Sequence, residues 1–516
     1  MGLILFSSLV GLALLFTYRF LLLPAWSSPL ARLPVANWSC HMSPFWILSA
    51  RHGRRENTSL LAAHRRLGPV VRVGPADVSL DGVEALRVVY QGGFEKDPWY
   101  SIFANYGSDN MFSTLPSKPH ASRKRAVSHV YSKSSLHASP SARAQTSSII
   151  HTRLLPLLLA SPTHDVFPLF LSAAMDLISA FVLGRAGGTD FLGDDPAVRD
   201  RWLSLYLARA EHGFWPQEMP RVTALCRWLR EPPYPRWVDE ANAGLAEWNW
   251  KLCEGVRHRG KSGDVADESV VFDAINASFD REERAGRVVS PRERDCAVAS
   301  EVMDHLLAGQ ETAGIALTYA TWHLSRAPAL QDKLRAELRG LETPLLASPD
   351  SPLPEPRALD ALPLLHAVIT ETLRLHAPIP GPEPRRTPPE GCRIAGHYIP
   401  GGVRVASLAH TLHRNESVFP DAEAWRPSRW LAPEKEGDGT RREMLRHFWA
   451  FGSGGRMCVG SNFAMNEMKY ILAAIYTNFR TSVVDDAGIE QADAYTARPK
   501  GELLVLRFER VADCES

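Results

Sequence analysis

The chain has 516 residues, 45% hydrophobic and 22% charged; these ordinary globular values exclude a disordered or fibrous protein, and the length allows about three ordinary domains or one large one. Lys and Arg total 58 and Asp and Glu 57, a formal net charge of +1, which argues against nucleic acid as a partner because phosphate binding needs a basic surplus. The seven cysteines (40, 226, 253, 296, 392, 458, 514) are odd in number and widely spread, without a C-x-x-C, which excludes a disulfide framework, a zinc ribbon and c-type haem attachment.

No Asp or Glu precedes Glu56, whereas Arg19, Arg32, Arg51, Arg54 and Arg55 do. Within this segment Leu3 to Leu23 is a 21-residue run with one charge, Arg19. About 20 apolar residues span a bilayer core as a helix. Arg19 lies near the end of the run, where it can snorkel, and Tyr18 and Trp26 sit like interfacial aromatics. A cleaved signal peptide is the rival, weakened by the missing basic start and the long apolar stretch. Arginines follow the span and none precedes it, so the positive-inside rule places the N-terminus lumenal and the body cytosolic. Pro24, Pro29 and Pro34 then form a stiff connector. Asn37, Asn57, Asn276 and Asn415 begin Asn-x-Ser/Thr triplets, glycan candidates only if the body is lumenal.

Residues 70–90 read as a short hairpin, with Val71 and Val73 before Gly74-Pro75 and Val78 and Leu80 after. From about 120 to 325 the patterns are mostly helical. Arg257–Asp295 is charged and holds Gly260 and Gly263, so it reads as an exposed loop with short helices. Ser290-Pro291 is an N-cap followed by Pro at the first helical position, opening a helix to about Arg326. At 1.5 Å per residue it is roughly 50 Å long, enough to cross a domain. Residues 343–363 hold six Pro and read as a surface loop. Residues 385–410 carry turn signals around short strand-like runs, Arg393–Ile399 and Val403–Ser407. A last helix runs from Asn462 to about Asn478. No Gly- or Ser-rich boundary divides the chain, so one large helix-rich domain with a little sheet is expected.

Several segments carry candidate chemistry. His120-Ala-Ser-Arg-Lys124-Arg125 is basic, and its plainest role is a solvated face. Ala308-Gly309-Gln310-Glu311-Thr312 sits in the middle of the long helix. Its small pair leaves room beside the helix, although Gly309 could be a mere defect, Thr312 could bond back to the carbonyl four residues earlier, and Glu311 could be a solvated acid. Glu371 and Arg374 face each other at i and i+3 in an apolar helix, which favours burial over a surface pair. His410 and His413 have H-x-x-H spacing, weak evidence for a metal, and read as structural. Phe451-Gly-Ser-Gly-Gly-Arg-Met-Cys-Val-Gly460 is the most informative stretch. Its glycines let backbone approach a bulky planar group. Cys458 precedes a helix start, where N–H groups and the dipole should lower its pKa. One isolated thiolate suits an axial haem ligand better than zinc, which needs clustered ligands. Arg456 can neutralise a haem propionate through a forked pair. A buried structural thiol is the competing reading.

That last stretch resembles the F-x-x-G-x-R-x-C-x-G signature of the cytochrome P450 family, with Phe451, Gly454, Arg456, Cys458 and Gly460 in register. Glu371-Thr-Leu-Arg374 resembles the family's E-x-x-R motif, with Arg429 of Trp425-Arg-Pro-Ser-Arg-Trp430 as the third partner. Ala308–Thr312 resembles its [AG]-G-x-[DE]-T oxygen-binding motif. The motif style is similar to fungal specialised-metabolism members.

The resemblance implies a mainly α haem-thiolate fold with small β-sheets; with the apolar run and the prolines after it, the expected organisation is a transmembrane anchor over 1–23, a Pro-rich linker over 24–36 and a monooxygenase domain over 37–516. It implies haem b with Cys458 as proximal thiolate, shielded by Phe451. Arg456, His120, Lys124 and Arg385 would contact the propionates. Lys124 departs from the family's Arg, leaving Arg123 or Arg125 as substitutes, and Arg386 competes with Arg385. Ala308 and Gly309 would open a kink over the haem, Thr312 would hold the dioxygen-derived ligand, and Glu311 would feed protons through water. Glu371, Arg374 and Arg429 would be structural.

The implied activity is monooxygenation of a lipophilic small molecule by dioxygen, one oxygen atom leaving as water. With no GxGxxG fingerprint in the chain, electrons would come from a separate NADPH-cytochrome P450 reductase. With the anchor, this gives a single-pass endoplasmic-reticulum membrane enzyme with a cytosolic catalytic domain, in secondary-metabolite biosynthesis. Two alternatives stay open: a haem-thiolate isomerase or dehydratase, and a non-enzymatic haem-binding sensor.

Overall fold

The structure, a computed structural model, describes residues 2–19, 22, 28–193, 196–260, 262–348, 351–431 and 439–511. Pro24, Trp26 and Cys514 lie outside the described residues. Among the described residues the fold is mainly helical with three small sheets.

Ser290 caps the central helix, Pro291–Ser325, through a capping box with Glu293, the arrangement that satisfies two orphan N–H groups at once. This helix lies against an apolar one, Val166–Leu183, which is buried along almost its whole length. Their approach is set by glycine. A Cβ on Gly309 would stand 2.6 Å from Ile178 Cγ1, and one on Gly314 2.6 Å from Leu171 Cδ2. Gly309 therefore serves helix-to-helix packing, and the room expected beside it is filled by Ile178. The adjacent Ala308 is the exposed member of the pair.

The expected hairpin forms as Val70–Gly74 and Asp77–Leu80, antiparallel. It is one edge of a five-stranded sheet that continues through Arg404–Leu408 and Pro382–Arg386 to Glu95–Lys96. In the last pairing Lys96 stands directly opposite Arg385. Within residues 257–295, expected as an exposed loop with short helices, residues 270–284 form a single 15-residue helix. Its buried stripe, Val271, Phe272 and Ile275, was concealed by the charge run on its outer face.

The Glu371–Arg374 pair is wholly buried. Arg374 Nε and Nη2 each donate to the Glu371 carboxylate at 2.9 Å, and Arg429 Nε adds a third contact at 2.9 Å. The indole of Trp430 and the backbone N–H of Arg426 also donate to it, at 2.8 Å each. Arg374 Nη1 donates to the carbonyls of His413 and Ala422. Every lone pair and donor is thus engaged, which is what a buried ion pair requires. His413 is the next link. Its Nε2 accepts the Trp449 N–H and its Nδ1 donates to the Arg374 carbonyl, both at 2.8 Å. Both nitrogens are used, and among the described residues no cluster suits a metal.

The N-terminal helix spans Gly2–Thr17, 16 residues, and its large apolar side chains from Ile4 to Phe16 are exposed. Among the described residues the one helix long and apolar enough to cross a membrane is Val166–Leu183, and it is 94% buried in the core.

Candidate functional site around Cys458

Cys458 lies between a short turn, Gly454–Arg456, and the helix Ser461–Asn478. Gly454 adopts φ +70°, and a Cβ there would meet the Tyr90 carbonyl oxygen at 2.3 Å. No other residue lets the loop pass so close to Tyr90. The Cys458 N–H donates to the Phe451 carbonyl at 2.9 Å, closing the loop on itself.

The sulfur lies deep in the molecule, yet it is exposed to space within it. Burial pushes its thiol up, against the lowering effects of the Gly460 N–H and of Lys124. This corrects the expectation of a lowered pKa: the helix starts three residues later, and desolvation outweighs the N–H and the dipole. Asp304, one turn before Ala308, also raises the thiol, so the cysteine loop and this part of the central helix lie within reach of each other. On that helix Ala308 is exposed, and Gly309 and Thr312 are half-buried, between neighbours that are buried. The Thr312 hydroxyl donates to the Ala308 carbonyl at 2.8 Å.

Cations converge beside the loop. Lys124 Nζ donates to the carbonyls of Met457 at 2.7 Å and Gly455 at 3.1 Å. Its rivals are placed elsewhere: Arg123 pairs with Glu301 at 2.9 Å, and Arg125 is exposed. Arg385 is buried, bonded to the Tyr100 hydroxyl at 2.9 Å and Glu383 at 3.2 Å. Arg386 instead pairs with Asp97 at 2.6 Å. Arg456 donates to the carbonyls of Thr114 and Leu115 and pairs with Glu95 at 3.1 Å; burial and Arg385 push it down to about 10. His120 is buried and pushed down to about 3 by desolvation and by Arg456, Lys96, Lys124 and Arg385.

Lys96 is the site residue that the sequence did not reveal. It is buried, its ammonium donates to the Phe112 carbonyl, and it sits 4.5 Å from the ring centres of Tyr100 and Phe112. Burial, Arg385 and Arg456 hold its pKa well below the usual lysine range. Among the described residues no carboxylate pairs with it. Its signal is a strand pairing of two residues, nearly 300 positions apart in the chain, invisible to any local pattern. Like charges directly opposite on a sheet repel, and a buried ammonium that Asp304 and Glu383 favour only from beyond ion-pair distance is costly.

A single interior-facing sulfur and a cluster of cations, with Lys96 outside any ion pair among the described residues, fit a planar iron cofactor bearing two carboxylates. A separate cleft of about 560 Å³ opens between Ser122, Phe279 and Arg292, and neither Cys458 nor Thr312 lines it.

Comparison with known proteins agrees. A family profile described as Cytochrome P450 matches residues 272–505. The chain is 27% identical over 451 residues to cytochrome P450 monooxygenase hkm5 of Aspergillus hancockii, covering 85% of this chain and 82% of that one. It is 25% identical over 517 residues to cytochrome P450 monooxygenase orf2 of Aspergillus niger, covering 97% and 98%. A solved structure, retinoic acid bound cyanobacterial CYP120A1, shares the fold with a TM-score of 0.65 at 19% identity, covering 87% of this chain and 93% of that one. The motifs in register, the fold and these relatives agree: the chain is similar to cytochrome P450 monooxygenases, by family profile over residues 272–505 and by its relatives over most of its length.

Proposed function

We propose that Cys458 holds a haem iron, and that the protein inserts one atom of dioxygen into a lipophilic small molecule with electrons from a separate NADPH-dependent reductase. The observation that carries this reading is the pairing of one interior-facing thiol with a cluster of buried cations in which Lys96 has no ion-pair partner among the described residues. Bound haem supplies the dioxygen chemistry.

The chain's own residues do the rest. The Phe451 carbonyl and the Lys124 ammonium fix the loop that carries the sulfur. Lys96, His120, Arg385 and Arg456 offer donors to two carboxylates. Ala308 leaves space on the face of the central helix. Thr312 offers a hydroxyl that can exchange its bond to the Ala308 carbonyl for one to the reacting oxygen, and Glu311 moves protons toward it. The Glu311–Thr312 pair favours oxygen insertion over isomerase or dehydratase chemistry. A lipophilic substrate is supported by the edge-to-face cluster of Tyr100, Phe103 and Phe112, next to Lys96. The N-terminal apolar segment anchors the protein in the endoplasmic reticulum with its body cytosolic, and the fungal relatives support a place in specialised metabolism.

The test is spectroscopic. Reduced protein with carbon monoxide should show the red-shifted Soret band of thiolate ligation, and Cys458→Ala should abolish it. A normal band in that variant overturns the assignment.

A further inference from the structure

Glu311 is the acid this reading needs in order to move protons, and the fold ties it to two other elements. It is buried on the central helix, one residue before Thr312. Tyr206, from the helix Pro196–Glu211, donates its hydroxyl to Glu311 Oε2. Arg498, which precedes the strand Val505–Arg510, brings its Nε to 3.2 Å from Glu311 Oε1. Arg498 Nη1 pairs in turn with Glu502 at 2.8 Å. Arg209, three residues after Tyr206, adds further positive charge. Tyr206, Arg209, Arg498 and Glu502 are the titratable groups that face this carboxylate.

The two contacts differ in kind. Tyr206 is buried and stacked on Trp202, with ring centres 5.3 Å apart and planes 11° from parallel. Packing thus fixes its phenol, and a buried hydroxyl needs an acceptor. Arg498 is close to Oε1, but that buried oxygen has no well-formed hydrogen bond. One oxygen is therefore bonded, while the other is held by charge and keeps its lone pairs.

We propose that Tyr206 and Arg498 are positioning residues for Glu311, holding its carboxylate at the junction of three elements with one oxygen left to hand protons toward Thr312. The proposal rests on the haem-thiolate reading above. Burial raises the Glu311 carboxyl, while Arg498, the Tyr206 hydroxyl and Arg209 oppose it. Removing either positioning group therefore leaves Glu311 protonated to higher pH.

The test uses haem-loaded enzyme with NADPH–cytochrome P450 reductase. It compares Tyr206→Phe, Arg498→Leu and Arg498→Lys, with exposed Arg480→Leu as control. Infrared difference spectra report the buried carboxyl band, assigned by its loss in Glu311→Gln. NADPH consumption against pH reports function. The first two variants should retain protonated Glu311 to a pH about 1–2 units higher. Their pH profiles should move by the same amount, and Arg498→Lys should restore both.

A carboxyl band that titrates as in wild type overturns the proposal. So does a shifted band with an unshifted profile, which would mean a merely structural tie. If Tyr206→Phe loses the carbon monoxide band through misfolding, Arg498→Leu and its lysine rescue still decide. A Cys458→Ala protein that keeps that band overturns the haem-thiolate reading instead, and the infrared shift can be present or absent independently.

Discussion

Lys96 shows how much one buried charge can say. Its ammonium has a carbonyl and two aromatic rings for company, and the sheet register sets it opposite Arg385. Without an added anion that arrangement costs stability. Lys96→Met should therefore raise the thermal midpoint of haem-free protein. It should also speed haem transfer to apomyoglobin by roughly 10- to 150-fold, the loss of one charge-assisted bond worth about 1.5–3 kcal/mol. A lower midpoint together with unchanged haem loss would separate Lys96 from the cofactor. Thr312 makes the opposite case, since its hydroxyl is occupied by the Ala308 carbonyl. Thr312→Ala should leave the carbon monoxide band intact while diverting electrons from NADPH into peroxide, and unchanged coupling would remove the hydroxyl from the chemistry. Cys458, Arg456 and Thr312 were legible because their motifs are contiguous. Lys96, Tyr206 and Arg498 were not, because each acquires its partner through a contact that only the folded chain makes. Gly309 was legible as special, but the reason is Ile178 on another helix.

Elements are joined by charge as well as by apolar packing. Glu218 ends the short helix Phe214–Glu218 and meets Arg51 at 2.9 Å, Arg404 at 3.0 Å and the Trp99 indole at 2.9 Å. It thus ties that helix to the helix Phe45–His52 and to the sheet. Burial alone would raise the Glu218 carboxyl, but Arg51 and Arg404 outweigh it and hold it at about 2, below the ordinary 4.5. Between those values the unfolded chain binds the proton more readily than the folded one. The stabilisation is complete above the ordinary value and drains away as pH falls toward 2, about 3 kcal/mol in all. Glu218→Gln should flatten the pH dependence of urea-unfolding stability in that window, and an unaltered slope would show the cluster to be neutral. Arg374→Ala tests the other junction. It takes the two-bond partner from the buried Glu371 carboxylate and leaves Arg429 as its remaining ion pair, at a cost of about 3–5 kcal/mol, so the variant should express without haem, whereas Arg446→Ala, an exposed pair, should not. The helix caps and the Glu371–Arg374 spacing could be read from sequence because they are local. The length and burial of the helix Val270–Arg284 could not, because charge density on its outer face resembles a loop with short helices when burial is unknown.

At the scale of the whole molecule, apolar surface is unevenly placed. The helix Gly2–Thr17 is exposed and apolar, and so are Trp38 and Phe45 just beyond it, at 71% and 73%. The helix Phe45–His52 packs on Phe214–Glu218, which packs on Pro220–Trp228. That last helix exposes Leu225 at 56% and Trp228 at 78%, followed by Leu229 at 58%. Large apolar side chains bared in neighbouring elements mark an interaction surface, and tryptophan favours a membrane interface. The net charge of +1 gives the body little electrostatic reason to prefer anionic lipid. Deleting residues 1–26 should therefore release only part of the protein from membranes. The truncated protein should sediment with zwitterionic and anionic vesicles to similar extents, insensitive to added salt. Leu225→Ser with Trp228→Ser in the truncated protein should then leave it in the supernatant while preserving the carbon monoxide band. Complete release on truncation alone would assign all membrane affinity to the N-terminal segment, and strong salt dependence would replace apolar insertion with charge.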